Sequence, residues 1–287
     1  MHGAGTTPEI GTATAARVDD RLLPRLRRGE LTTAMMLRGS RTVDVIRIAH
    51  SSGHHCVIID LEHCSMSLDV ATTLAAAAFQ FGMTPIVRVP EREYGIIGRL
   101  LDGGALGIVA PRIETPAEAR TVARACRFAP RGQRSQIAMV PQFGLRTTPA
   151  KELNPALDEL AVVQILVETP TGIANVDAIA AVEGVDMVVI GVNDLCAELG
   201  APGSFRDDRV RRSIVAASEA CKAHGKLLSV GGISDLAYFA ELLQLGVAPL
   251  IYTGSDNELL MKAAVDKQSQ VAKWFQELAQ PPQPPIA

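Results

Sequence analysis

Eight short apolar runs recur along the chain, each separated from the next by an amphipathic stretch. They read TTAMML (32–37), CVIID (56–60), PIVRV (85–89), LGIVAP (106–111), VVQILVE (162–168), MVVIGV (187–192), KLLSV (226–230) and PLIYTG (249–254). Most are continuously apolar rather than alternating, the pattern of strands buried on both faces. Helical patterns lie between them. The stretch 115–129 opens with Thr115, Pro116 and Glu118, which are capping-box residues. The stretches 175–182 and 207–225 follow the same logic, and the second ends at Gly225. Strands regularly alternating with helices predict an α/β fold, a (β/α)8 TIM barrel over residues 19–279. A doubly wound open sheet is the alternative. No Gly-x-Gly-x-x-Gly follows the first strand, which argues against a dinucleotide site.

With 287 residues, 47% of them hydrophobic, the chain can fill one large core. Residues 1–18 are small and polar and are expected to be disordered, and 280–287 form a proline-rich tail that cannot continue a helix. The segment 133–160 reads as a long connection, either a lid or a subunit contact. A net charge of −3 favours neither nucleic acid nor an anionic membrane. No secretory signal and no spanning apolar run is present. The five cysteines are scattered without a Cys-x-x-Cys pair, which points to a reducing cytoplasm and not to a disulfide framework. The last helical stretch places Leu260, Ala264, Val271, Trp274 and Leu278 at helical spacing. Trp274 and Phe275 are adjacent and point apart, so one of them is expected to meet a partner subunit.

Active sites of barrels sit at the C-terminal ends of the strands. There this sequence places Asp60, Glu62 and His63 after the second strand, Arg88 on the third, Glu168 on the fifth and Asp194 after the sixth. Glu168 and Asp194 are 26 residues apart, one strand–helix–strand step. Neighbouring parallel strands lie about 4.8 Å apart, so two such carboxylates can share one hard divalent cation. The blander readings are a turn residue for Glu168 and a helix cap for Asp194. Arg88 is either a clamp on an anionic oxygen or the partner of Asp60 or Glu62 in a structural ion pair. His63, beside carboxylates, is a candidate general base. His54 and His55 precede the second strand and Lys226 begins the seventh, so all three belong to the opposite end.

The segments IIDLEH, PIVRVP, LLDGGALGIVAPRIETPAEA, APRGQR, VETPTGIAN and GVDMVVIGVNDLCAELG resemble, in order, the HpcH/HpaI aldolases. These are the class II metal-dependent pyruvate aldolases of the citrate-lyase-β-like superfamily. The resemblance runs from about residue 30 to 265. It implies a modified barrel whose last helix is exchanged between subunits of a dimer-based homo-oligomer, up to a hexamer. It implies Glu168 and Asp194 as ligands of Mg, Mn or Co, Arg88 on the keto oxygen of a pyruvate-like substrate, and His63 as base with Asp102 as its acidic partner. Asp60 and Glu62 would support these groups. Gly191, Val192, Asn193 and Asp194 match the turn whose amides receive the substrate carboxylate. The sequence departs from the best-known members at Leu166, where they carry Gln, and at Val192-Asn193, where they often carry Pro-Ala. The implied reaction joins or cleaves a 2-oxo acid and an aldehyde. The alternatives are a citrate-lyase-β-like acyl-CoA lyase and a catalytically weak barrel with a binding role.

Overall fold

The computed structural model describes residues 21–279, so the expectations for 1–18 and 280–287 lie outside the described residues. A short helix, α1 (Leu22–Arg27), leads into β1 (Thr32–Leu37). There follow α2 (Asp44–Ser51), β2 (Cys56–Asp60), α3 (Leu68–Gln80), β3 (Thr84–Arg88), α4 (Ile97–Asp102), β4 (Gly107–Ala110) and α5 (Pro116–Cys126). Next come α6 (Ala150–Leu160), β5 (Val162–Val167), α7 (Pro170–Ala174), α8 (Val176–Ala180), β6 (Met187–Gly191) and α9 (Val192–Glu198). The chain closes with α10 (Asp208–Ala223), β7 (Leu227–Gly231), α11 (Leu236–Gln244), β8 (Leu250–Ser255) and α12 (Asp256–Ala279).

All strand pairings are parallel, in the order β7-β6-β5-β4-β3-β2-β1-β8. Because β1 pairs with β8, the sheet curls round upon itself, and the Ala248 amide donates to the Leu228 carbonyl at 2.8 Å across the remaining seam. This is a (β/α)8 barrel. Successive side chains on a strand face opposite ways, and the core divides accordingly. Ala34, Ile58, Ile86, Val109, Leu166 and Val189 fill the interior, while Leu37, Val57, Ile59, Val87 and Ile108 pack outward on the helices. Leu22, Leu23 and Leu26 of α1 join the inner group and stopper the end where the strands begin.

Local chemistry sets the element ends. Thr115 caps α5 by accepting from the Glu118 amide while Glu118 reaches back, with Pro116 at the first helical position. The connection 133–160 contains α6 and is docked on the barrel flank. Gln142 Nε2 donates to the carbonyls of Leu101 (2.7 Å) and Ala105 (3.2 Å), and Val140, Leu153 and Leu157 pack with Phe128. Among the described residues no helix is long and apolar enough to cross a membrane.

Candidate active site

The C-terminal ends of the strands surround a cavity of about 310 Å³. Its wall includes Arg38, Arg88, Glu168, Asp194, Leu166 and Tyr252. Glu168 directly follows β5 and is 3% exposed. Its Oε1 accepts the Arg112 amide at 2.9 Å, an amide aimed by the left-handed backbone of Arg112 (φ 51°). Asp194 lies in the first turn of α9, directly after β6, so it is at once a helix-start residue and part of the cavity wall. The two strand ends meet closely because Gly191 intervenes. A Cβ there would overlap Glu168 Oε2 and stand 2.9 Å from Glu168 Cβ. Burial, and then the Asp194 charge, push the Glu168 carboxyl up to about 7. Two carboxylates facing one cavity form an all-oxygen donor set, which suits a hard divalent cation. Among the described residues no group of three or more His, Cys, Asp or Glu side chains has metal-binding geometry.

Arg88 ends β3, and Asp60 ends β2 at the paired position. Arg88 grips Asp60 with both ends of its fork, Nε to Oδ1 at 2.9 Å and Nη2 to Oδ2 at 2.5 Å. Its Nη1 lies 3.2 Å from Glu62 Oε2. Asp60 is fully buried. Burial alone would raise its pKa, but the two guanidiniums of Arg88 and Arg38 hold it at about 2. The amides of Glu62 and His63 also donate to Asp60 Oδ1. Asp60 is thus a fixed anchor behind Arg88. Arg88 is ion-paired with Asp60, and it also lines the cavity.

His63 sits on the turn after β2, half exposed, with Nε2 3.9 Å from Glu62 Oε2. Burial, and then the Arg88 charge, lower its pKa from the ordinary value. Asp102 is not brought to it within the chain. Asp102 closes α4 in the helical layer, and Arg134 Nη2 donates to its Oδ1 at 2.7 Å. Val192 is buried while Asn193 and Asp194 are exposed to the cavity. Leu166 lines the wall. One layer below it, Gln164 is fully buried, and its amide atoms make no hydrogen bond among the described residues. His54 and His55 contact Thr253 and Thr33, and Lys226 Nζ donates to the Val185 carbonyl at 2.7 Å, all away from the cavity.

Sequence reasoning passed over Arg38, Arg112 and Tyr252. Arg38 follows β1 directly, and its Nε donates to Asp60 Oδ2 at 2.6 Å. A charged residue just beyond an apolar run was a visible signal; the left-handed turn at Arg112 was not.

A model of the HpcH/HpaI aldolase/citrate lyase family matches residues 33–263. The chain belongs to that family. Among HpcH/HpaI relatives, the 4-hydroxy-4-methyl-2-oxoglutarate aldolase of Chaetomium globosum is 37% identical over 88% of this chain and 95% of its own length. The enzyme of the same description from Hapsidospora irregularis is 36% identical over 85% and 92%. The fold matches the crystal structure of an HpcH/HpaI aldolase from Desulfitobacterium hafniense with a TM-score of 0.79 at 24% identity, covering 92% of this chain and 99% of that one. Membership and these relatives make this HpcH/HpaI protein a carbon–carbon lyase of the aldolase type.

Proposed function

We propose that the protein is a divalent-metal-dependent aldolase that makes or breaks the bond between a pyruvate-like 2-oxo acid and a carbonyl acceptor. The observation that carries this reading is the pair Glu168 and Asp194 at adjacent strand ends, facing a cavity that Arg88 also lines. Glu168 and Asp194 would hold a hard cation such as Mg, Mn or Co, which would supply positive charge to a bound 2-oxo acid.

The chain's own residues account for the rest. Arg88, fixed by Asp60, donates to the keto oxygen and stabilises the negative charge that grows there. Backbone amides of the turn from Gly191 to Asp194 receive the substrate carboxylate. In cleavage, His63 takes the proton of the 4-hydroxyl. The C3–C4 bond breaks, its electron pair passes into the enolate, and the hydroxyl carbon leaves as a carbonyl. Protonation at C3 then releases the 2-oxo acid. Leu166 keeps that wall apolar and dry.

The acceptor implied by the resemblance is an aldehyde. The substrate skeleton named for the fungal relatives carries its hydroxyl on a fully substituted carbon, so its cleavage would release a ketone. That compound is therefore the first one to test. We further place the protein in a reducing cytoplasm, on its five free cysteines, and as a homo-oligomer built through α12.

The test is pyruvate release from 4-hydroxy-4-methyl-2-oxoglutarate before and after exhaustive chelation, with Mg, Mn or Co added back. Activity should vanish and return, and Asp194→Asn should weaken Mn binding strongly. An undiminished rate after chelation would remove the metal from the reaction. Turnover of acyl-CoA adducts in its place would favour the citrate-lyase-like alternative.

A further inference from the structure

Two guanidiniums share one buried carboxylate at the mouth of this barrel, and only one of them is accounted for by the reaction. Arg88 already satisfies Asp60 with a two-point grip, and two backbone amides add to it. Arg38 contributes a single contact, Nε to Asp60 Oδ2 at 2.6 Å. Among the described residues its two terminal nitrogens donate no side-chain or backbone hydrogen bond. Arg38 is partly solvated, with 31% of its side chain exposed, and it lines the cavity. A guanidinium held by its Nε, with its fork free, is arranged to take a planar oxyanion.

Its position in the ring gives the geometry. Glu168 and Asp194 stand after β5 and β6, whereas Arg38 follows β1, four strands away in the ring from β5. The cavity runs between these sides, with Met36, Tyr252 and Ser255 beside Arg38. Arg88, on β3, lies between them. Arg38 and Arg88 touch the same Asp60 oxygen, so the two contacting nitrogens can be no farther apart than two hydrogen bonds laid end to end. Asp256 fixes the backbone on the Arg38 side by accepting from the amides of Arg38, Gly39 and Ser40. Glu258 also lines the cavity, and its Oε2 accepts the Ser255 amide at 2.7 Å.

We propose that Arg38 is a specificity residue that binds the second carboxylate of a dicarboxylic 2-oxo acid, three carbon–carbon bonds from the keto carbon held at Arg88. This rests on the aldolase reading for the placement of the keto group. A substrate ending in a methyl group would leave the Arg38 fork in water; one ending in a carboxylate would gain a bidentate charge-assisted pair. The acceptor released on cleavage then carries its own carboxylate and is itself a small oxo acid.

Two readouts separate this proposal from the reaction it serves. The first is binding without turnover, in the presence of Mg. Calorimetric titration compares 2-oxoglutarate with 2-oxopentanoate, which differs only in a methyl for the distal carboxylate and, like 2-oxoglutarate, has no 4-hydroxyl to cleave. Wild type should prefer 2-oxoglutarate roughly 10- to 100-fold, the range of a charge-assisted hydrogen bond. Arg38→Met should collapse that preference to near unity, and Arg38→Lys should restore part of it. The second is KM for 4-hydroxy-4-methyl-2-oxoglutarate against 4-hydroxy-4-methyl-2-oxopentanoate, whose ratio should collapse in the same variant. No preference in wild type, or an equal loss on both ligands in Arg38→Met, would overturn the proposal and leave Arg38 as structural support for Asp60. A clear binding preference with neither hydroxy acid cleaved would keep Arg38 in its role and remove 4-hydroxy-4-methyl-2-oxo acids as the substrates.

Discussion

Asp60 is where the charges of the site converge. Its carboxyl is held at about 2 against an ordinary 3.8, because the guanidiniums of Arg88 and Arg38 outweigh the cost of burial. The folded value lies below the unfolded one, so the native state binds fewer protons. The resulting stability is present above the ordinary carboxylate range and is lost as pH falls from there towards 2, a contribution of about 2 kcal/mol. Urea titrations of wild type and Asp60→Asn between pH 7 and pH 3 will test this. The variant should be less stable at pH 7 by roughly 3 kcal/mol, the low end for a broken buried pair because Arg38 is partly solvated. Its stability should also fall less steeply on acidification. Parallel curves for the two proteins would deny Asp60 that role. At Gly191, Gly191→Ala should fold normally yet lose roughly 10- to 100-fold in Mn affinity, since its Cβ must displace the Glu168 carboxylate. His63→Ala should cut kcat for cleavage by about 10²–10⁴ while leaving Mn binding intact; an unchanged kcat would hand the proton to another base. Asp60, Arg88, Glu168 and Asp194 could be located in the sequence because each stands within two residues of the C-terminal end of an apolar run, and the barrel brings run ends together. Arg38 obeys the same rule, one residue beyond TTAMML, and was passed over although its signal was visible. Asp102 was placed by resemblance, and no sequence pattern shows that Arg134 holds it in the helical layer.

At the scale of elements, the strands fall within a residue of their apolar runs, because a strand buried on both faces has no polar position to blur its ends. The helix α6 was harder to see. Pro155 lies inside it, and an interior proline costs about 3 kcal/mol. Burial of Leu153 and Leu157 against Phe128 and Val140, each worth roughly 1.5–3 kcal/mol, offsets that cost, a tertiary gain invisible in local propensity. The start of α12 carries a testable joint. Asp256 gathers the amides of Arg38, Gly39 and Ser40 and so ties the last helix to the turn after β1. Asp256→Ala orphans those donors and should cost about 1–3 kcal/mol. It should also raise hydrogen exchange at residues 38–40 above that of the neighbouring strand. Exchange unchanged at those amides would mean that the turn is held by other contacts.

The whole molecule ends in a feature that a single barrel does not explain. The 24-residue α12 is about 36 Å long, yet only its first turn is anchored, through Asp256, Glu258 and the partly buried Leu259. From Leu260 to Leu278 every residue is exposed, including Met261, Val265, Val271, Trp274 and Phe275. The sequence led us to expect one of the adjacent aromatics on the surface. In this chain both are exposed, Trp274 at 57% and Phe275 at 66%, so the apolar belt is wider than one stripe. Most helical stability in proteins comes from packing an apolar face rather than from propensity. Large exposed apolar patches mark interaction surfaces, and a second copy of the same chain offers the matching belt. Light scattering of the full-length protein at micromolar concentration should therefore give a mass of at least two chains. The double variant Trp274→Glu and Phe275→Glu should shift the mass towards one chain. It should also lower far-ultraviolet helix signal, because a helix without its partner frays, while the barrel core remains folded. A wild-type protein that is monomeric, with α12 fully helical, would show that the helix stands on its own and would remove the reason for a partner.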